Sequence, residues 1–453
     1  MLFRKAYDRL LHWKQQEKKK ALCIVGARQI GKTTLVRQFG SEQYECFAEL
    51  NFITQPNAAK IFDGALDADS IITGLTAYLQ KPLIPGNTLV LLDEIQACPN
   101  ARTAVKFLVE DGRFDYIETG SLLGVRHKEV ASYPVGFEEI YRMFPMDFEE
   151  YCLANGVQQE TLAYLRHCYD NETPVTDAVH DTMNRLFFTY IVVGGMPEIV
   201  QTYVQTHDIG RVIALQRDIL ELYRLDITRY AVGADKPKIR SIFDSIPSQL
   251  DDKNRRFLLS AIDKNGRQNR YLNSFLWLSE AGVALPCYNV SEPQPPLQLN
   301  EKHNLFKLFM GDTGLLCAAC MENVQFPILN GDLEINLGSI LENMAAQQPR
   351  SNGFSLRYFD SKKYGELDFV IQNGMGVDLV ELKSGKDYKR HSALDKILAV
   401  DAWVFRKSLV FCKGNLERER ETLYLPWYML MFYKPQEPPK SMVFELDLSA
   451  LQL

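Results

Sequence analysis

The apolar positions of this chain fall into three successive patterns. Five consecutive apolar residues, Ala21-Leu22-Cys23-Ile24-Val25, precede a glycine-containing loop, and Leu35, Val36 and Phe39 follow at helical spacing. The pattern predicts strand, loop, helix. Cys46 to Phe52, Thr88 to Leu92 and Phe114 to Thr119 read as further strands, with helical spacing over Ile61 to Leu79 and around Ala104 to Leu108. Short, continuous apolar runs suit parallel strands buried on both faces, and their alternation with helices predicts a doubly wound α/β layer.

From Tyr151 to Ala231 the spacing is helical, broken at Gly194-Gly195-Met196-Pro197 and including a long periodic stretch, Val212 to Tyr230. Lys238 to Pro286 reads as a short helical bundle. Its helix Tyr271 to Ala281 stops at Gly282, a C-cap signal. Val283 to Val290 and Leu305 to Met310 then read as strands around a proline-rich turn, the helices-plus-hairpin order of a winged helix. Beyond about residue 330 a helix, Ile335 to Gln347, precedes strands at Ser355 to Phe359, Glu366 to Ile371, Val377 to Leu382 and Trp403 to Phe411. The turn at 434–439 leads to a last strand, Met442 to Leu446. The expected divisions are 1–180, an ATPase-type layer; 181–325, a helical lid and winged-helix-like part; and 326–453, a second α/β part.

A length of 453 residues suits roughly two to four domains. The net charge of −6 removes bulk charge as a reason to bind polyanions, so any such binding needs a local patch. The first residues lack an apolar signal core, and no run approaches the ~20 apolar residues of a membrane span. The nine scattered cysteines suggest reduced thiols and a cytoplasmic protein without a membrane partner. Cys317 and Cys320 form a single C-x-x-C with no second pair, so they read as plain helix cysteines.

The chemistry concentrates in Gly26-Ala27-Arg28-Gln29-Ile30-Gly31-Lys32-Thr33, a Walker A sequence continued by Thr34. Glycines let backbone N–H groups converge on phosphates at the start of the helix. Lys32 would reach the β/γ-phosphates and the Thr33 hydroxyl would help hold Mg²⁺, so ATP and Mg²⁺ are the expected ligands. Asp93, ending the strand at Thr88 to Leu92, matches the Walker B carboxylate for Mg²⁺, and Glu94 would polarise the attacking water. Thr119 or Ser121, after the next strand, would contact the γ-phosphate or the water; strand-end or cap residues are the plain alternative. The strand near 46–52 is expected between the Walker A and Walker B strands, as suits the additional-strand P-loop class.

These motifs, with Leu91-Leu92-Asp93-Glu94-Ile95-Gln96, Glu118-Thr119-Gly120-Ser121 and Phe144-Pro145-Met146-Asp147-Phe148-Glu149-Glu150-Tyr151, resemble the AAA+-type ATPases of bacteria and archaea fused to a C-terminal domain of unknown function. The resemblance continues through Gly194 to Glu198, Ile246 to Leu250, Phe306-Lys307-Leu308, Asp312 to Leu316 and Leu341-Glu342-Asn343. Where many relatives carry Gly-Arg, this chain has Gly136-Phe137, so no role for that arginine transfers. An arginine finger or sensor-2 residue would complete such a site, and Arg126, Arg217, Arg224, Arg229 and Arg240 are candidates by position, with a solvated helix charge as the plain alternative for each. A finger supplied in trans would require a homo-oligomer.

Two further constellations point to nucleic acid. Lys253, Arg255, Arg256, Lys264, Arg267 and Arg270 form a basic patch suited to DNA phosphates, diluted by Asp251, Asp252 and Asp263; a solvated face and a protein-interaction winged helix are the alternatives. Glu342, Asp368, Glu381 and Lys383 follow the order Glu, Asp, Glu-x-Lys, which resembles the PD-(D/E)XK restriction-endonuclease-like fold. Asp368 and Glu381 would share a divalent cation and Lys383 would orient a water. The alternatives are a nuclease-like fold that binds without cutting, or a strand with surface charges.

Overall fold

The computed structural model describes residues 2–120, 134–231, 235–251, 256–320, 325–330, 338–437 and 443–446. The first layer runs α1 (Lys5–Lys14), β1 (Ala21–Val25), α2 (Lys32–Gln43), β2 (Cys46–Asn51), α3 (Ala68–Leu79), β3 (Thr88–Asp93), α4 (Pro99–Asp111), β4 (Asp115–Gly120) and β5 (Glu138–Arg142). The five strands form one sheet in the order β2-β3-β4-β1-β5, parallel at every pairing. The strand between the Walker A and Walker B strands is therefore β4, while β2 lies at the sheet edge, which corrects the expected placement of 46–52. Chain order cannot reveal spatial order, because each parallel crossover is free to skip a position.

Both faces of this sheet are covered, which explains the unbroken apolar runs. Leu22, Ile24, Leu89, Leu91 and Ile117 face one core, and Cys23, Val25, Val90, Leu92 and Tyr116 face the other with α3 and α4. The helix expected over 61–79 divides into a 3₁₀ turn, Pro56–Phe62, and α3. Asp67 restarts the chain there as an N-cap, accepting from Ser70 N at 2.9 Å. β5 went unforeseen because Glu-Glu-Ile-Tyr-Arg has no apolar run.

Helices follow: α5 (Phe148–Ala154), α6 (Gln159–Asp170), α7 (Asp177–Val193), α8 (Pro197–Thr206), α9 (Ile209–Tyr230), α10 (Asp235–Asp251) and α11 (Leu272–Glu280). β6 (Ala284–Val290) and β7 (Glu301–Met310) make the expected antiparallel hairpin, and α12 (Thr313–Cys320) carries Cys317 and Cys320. After α13 (Gln325–Leu329) and α14 (Gly338–Ser351) come β8 (Arg357–Ser361), β9 (Gly365–Leu367), β10 (Phe369–Asn373), β11 (Gly376–Leu382), α15 (Ser392–Leu398), β12 (Lys407–Cys412), β13 (Glu417–Glu419) and β14 (Thr422–Pro426).

The hairpin is not a free-standing wing. β6 also pairs in parallel with β8, giving a four-stranded sheet β7-β6-β8-β9 that crosses the division expected at 325/326. A third sheet, β10-β11-β12-β14-β13, backs onto it. Phe369, Ile371, Val380, Leu409 and Phe411 from this sheet join the same contiguous core as Leu22 and Ile24 of β1. The first and last parts of the chain thus share one apolar interior. The strand expected at Met442 to Leu446 is absent from residues 443–446, whose Val443, Phe444 and Leu446 stay exposed with no neighbouring strand to shelter them.

Candidate nucleotide site and a C-terminal charge cluster

The loop between β1 and α2 adopts backbone angles that few side chains tolerate. Gly26 has φ +146, and a Cβ there would lie 2.3 Å from the Met143 carbonyl oxygen; Gly31 has φ +86 and caps α2. Gln29 also sits at positive φ, 63°. Lys32 folds back into the loop and donates to the carbonyls of Gly26 at 2.9 Å and Ala27 at 2.7 Å. Burial lowers its amine to about 8, with Glu94 and Asp93 opposing the shift. Ile30 is buried, and its carbonyl accepts from Arg4 Nη1 at 2.9 Å. Gly31, Thr34, Leu35, Gln38 and Pro197 line a cavity of about 240 Å³ beside the loop.

Asp93 is the meeting point of three strand ends and the helix. Its Oδ1 accepts from Thr33 Oγ1 at 3.0 Å and from the Thr119 hydroxyl, and its Oδ2 accepts from Asn51 Nδ2 at 2.7 Å. The residues expected from sequence at this site, Lys32, Thr33, Asp93 and Thr119, come together. Glu94 follows in left-handed backbone, φ 54, and its carboxylate accepts from the Gln96 amide. Ser121 and Arg126 lie outside the described residues. Asn51 was missed; a polar residue ending a parallel strand was the available signal, because ligands gather at carboxyl ends of such strands.

The later helices press on the loop. Arg28 Nη1 pairs with Asp226 of α9 at 2.8 Å, and Tyr223 of α9 donates to the Arg28 carbonyl at 3.2 Å. Gly282, at φ +74, lies so close that a Cβ would sit 2.9 Å from Ala27 N. The Gly194-Gly195 break serves a second close approach. Asp312 accepts from Gly195 N at 2.7 Å and Leu315 N at 3.0 Å, and a Cβ on Gly195 would sit 2.1 Å from the Met146 oxygen. Of the finger candidates, Arg224 pairs with Glu221 and Asp244, Arg240 approaches Asp244 at 3.6 Å, and Arg217 is exposed.

In the C-terminal part Glu342 comes from α14, Asp368 from the bend between β9 and β10, and Glu381 with Lys383 from the end of β11. Asp368 Oδ2 accepts from Leu382 N at 2.8 Å, and Lys383 Nζ bonds Glu381 Oε1 at 2.7 Å. Burial, reinforced by Glu381 and Glu342, holds the Asp368 carboxyl well above the ordinary range. A residue missed from sequence occupies the centre. Lys307 of β7, 0% exposed, contacts Glu342 Oε1 at 2.5 Å and Glu366 Oε1 at 2.6 Å. Its signal was a lone cation in the apolar run Leu305 to Met310. In the basic patch Arg256 pairs with Asp360, Lys264, Arg267 and Arg270 are exposed, and Lys253 and Arg255 lie outside the described residues.

Residues 18–152 match the family model of an AAA domain. The N-terminal part of the chain has the parallel sheet and glycine loop of a P-loop NTPase fold. Residues 184–325 and 337–430 match families described as domains of unknown function (DUF8612 and DUF4143). No curated protein matches the chain. Among solved structures, the Walker-type ATPase PABY2304 of Pyrococcus abyssi is 13% identical, with 71% of this chain and 96% of that one covered at TM-score 0.40. The Aeropyrum pernix ORC1 protein in complex with DNA is 13% identical, covering 73% and 94% at TM-score 0.29. The Thermotoga maritima RuvB Holliday junction branch migration motor is 14% identical, covering 62% and 89% at TM-score 0.29. At such TM-scores these likenesses decide neither the whole fold nor the activity. Among the described residues no helix is long and apolar enough to cross a membrane.

Proposed function

We propose that the chain binds ATP with Mg²⁺ and hydrolyses it in an AAA+-type, additional-strand P-loop site. The convergence of Thr33, Asn51 and Thr119 on Asp93 carries this reading, since it gathers hard oxygen donors beside a phosphate loop. Thr33 and Asp93 would hold the Mg²⁺. The bound ion would supply charge neutralisation for the phosphates. Lys32 would exchange its carbonyl partners for phosphate oxygens, and the backbone from Gly26 to Thr34 would cradle them. Glu94 would accept the proton of the attacking water, with Thr119 and Ser121 orienting it. The cavity at Thr34, Leu35 and Pro197 leaves room beside the loop for the rest of the nucleotide.

The working divisions are an ATPase domain at 1–180, a helical and winged-helix-like part at 181–325 and a restriction-endonuclease-like part at 326–453. DNA is the proposed partner, through exposed Lys264, Arg267 and Arg270, and residence is cytoplasmic. ATP turnover by purified protein, with and without Mg²⁺ and with single- or double-stranded DNA, tests the reading. Absence of turnover under every condition removes it.

A second reading has its own support. The contacts of Arg28 with Asp226 and Tyr223, and of Gly282 with Ala27, put the later helices directly on the phosphate loop. ATP would then set the arrangement of these parts, a nucleotide-gated switch whose tail binds without cutting. Slow turnover, with a partner held in only one nucleotide state, distinguishes it from a DNA-stimulated motor. Sizing with and without ATP reports any homo-oligomer.

A further inference from the structure

We infer that Lys307 takes the place a divalent cation would occupy among the C-terminal carboxylates, so the described residues of this part form no metal-dependent nuclease site. The inference rests on reading that part as nuclease-like, and it is independent of the ATPase site.

A hard divalent cation needs several carboxylate oxygens converging on one point. Glu342, Asp368 and Glu381 do not provide that. Among the described residues, the acid and thiol side chains whose ligand atoms all lie within 4.8 Å of one another are Cys23, Glu118 and Glu138, in the first sheet. The C-terminal carboxylates are instead committed to other donors. The Lys307 ammonium, with three N–H donors, takes Glu342 at 2.5 Å and Glu366 at 2.6 Å. Asp368 is tied to Leu382 N at 2.8 Å, and Glu381 to Lys383 at 2.7 Å. One oxygen, Glu381 Oε2, is buried without a hydrogen-bond partner among the described residues, too little to hold an ion alone.

The lysine cannot be swung aside as a surface side chain can. Lys307 is 0% exposed, its backbone is paired with Cys287 in the β6–β7 ladder, and its ammonium lies 5.0 Å from the centre of the Tyr358 ring. A monovalent ammonium neutralises the carboxylates but has no open coordination position. It can neither activate a water nor carry a phosphate oxygen as a metal does.

Nucleotide-free, full-length protein titrated with Mn²⁺ alone tests this, with binding followed by electron paramagnetic resonance. The parent and Asp368→Asn should give the same titration, and neither should nick supercoiled plasmid in Mg²⁺ or Mn²⁺. Lys307→Ala, which vacates the ammonium's position so that the carboxylates around it can close on an ion, should gain a saturable Mn²⁺ site, lost again in Lys307→Ala with Asp368→Asn. Parent binding or nicking that Asp368→Asn abolishes would overturn the inference, as would a folded Lys307→Ala that gains no site. Should Lys307→Ala not fold, the comparison of parent with Asp368→Asn decides alone. ATP turnover, measured separately, reports on the P-loop reading without involving these residues.

Discussion

The Thr119 hydroxyl and the Thr33 hydroxyl donate to the same oxygen, Asp93 Oδ1. One carboxylate oxygen thereby links the Walker A helix to the end of β4. Thr119→Val removes a donor while keeping the shape. It is expected to lower kcat roughly 10- to 100-fold, equivalent to a ~1.5–3 kcal/mol hydrogen bond to a charged group, with little change in ATP affinity. Steady-state turnover beside fluorescent-nucleotide binding checks this; a parallel loss of binding would make Thr119 structural instead.

As the proposed base, Glu94 should separate binding from chemistry. Glu94→Gln should bind ATP as the parent does and lose roughly 10²–10⁴-fold in turnover, the usual contribution of a general base. Asp93→Ala should weaken Mg²⁺-dependent nucleotide binding itself. Single-turnover hydrolysis with equilibrium binding on the two variants distinguishes these roles.

Lys32 predicts a pH dependence of binding. In the empty loop burial lowers its amine to about 8, so above that pH it is largely neutral. An arriving phosphate raises the amine again, so binding takes up a proton. ATP affinity should fall as pH rises above about 8, approaching roughly tenfold per unit. Calorimetry in buffers of different ionisation enthalpy measures the proton directly. Lys32→Ala should bind weakly and show no such slope.

Asp312 holds the Gly194-Gly195 turn against α12. Asp312→Ala leaves Gly195 N and Leu315 N buried without their acceptor and should cost roughly 2–5 kcal/mol of stability. Burial also raises the Asp312 carboxyl to about 6, against the opposing backbone N–H groups. The folded chain therefore binds more protons than the unfolded chain between the ordinary aspartate range and that pH. Asp312 thus subtracts stability as pH rises from the ordinary aspartate range to about 6, and Asp312→Asn should flatten that interval. Denaturant midpoints at several pH values test both statements.

The exposed Lys264, Arg267 and Arg270 predict sequence-independent DNA binding. Each phosphate contact should contribute roughly 0.9 to the log–log salt slope, so the triple change to Gln should flatten it by up to about three such steps. An unchanged slope would remove this face from the interface.

Local order made much of this molecule legible in its residues. The glycine loop, the two-faced apolar strands and Asp93 at a strand end are encoded by near neighbours, because backbone freedom and side-chain alternation act within a few positions. The P-loop layer and the helical stretch after it followed from those patterns. β5 escaped because its polar residues carry no periodic signal, and the helix at 61–79 was overextended because a single capping aspartate, Asp67, restarted it.

What the tertiary structure decided depends on distant pairings. The placement of β4 between β1 and β3, the joining of β6 to β8, and the arrival of Asn51 at Asp93 rest on contacts that no local pattern contains. Lys307 is the sharpest case. In sequence it was a lone cation in an apolar strand with no role assigned, while Glu342 and Asp368 beside it read as nuclease-like site residues. Only packing brought an ammonium from β7 among acids from α14 and β9. Charge neutralisation inside a buried cluster depends on which groups meet there, and that is settled by the fold as a whole.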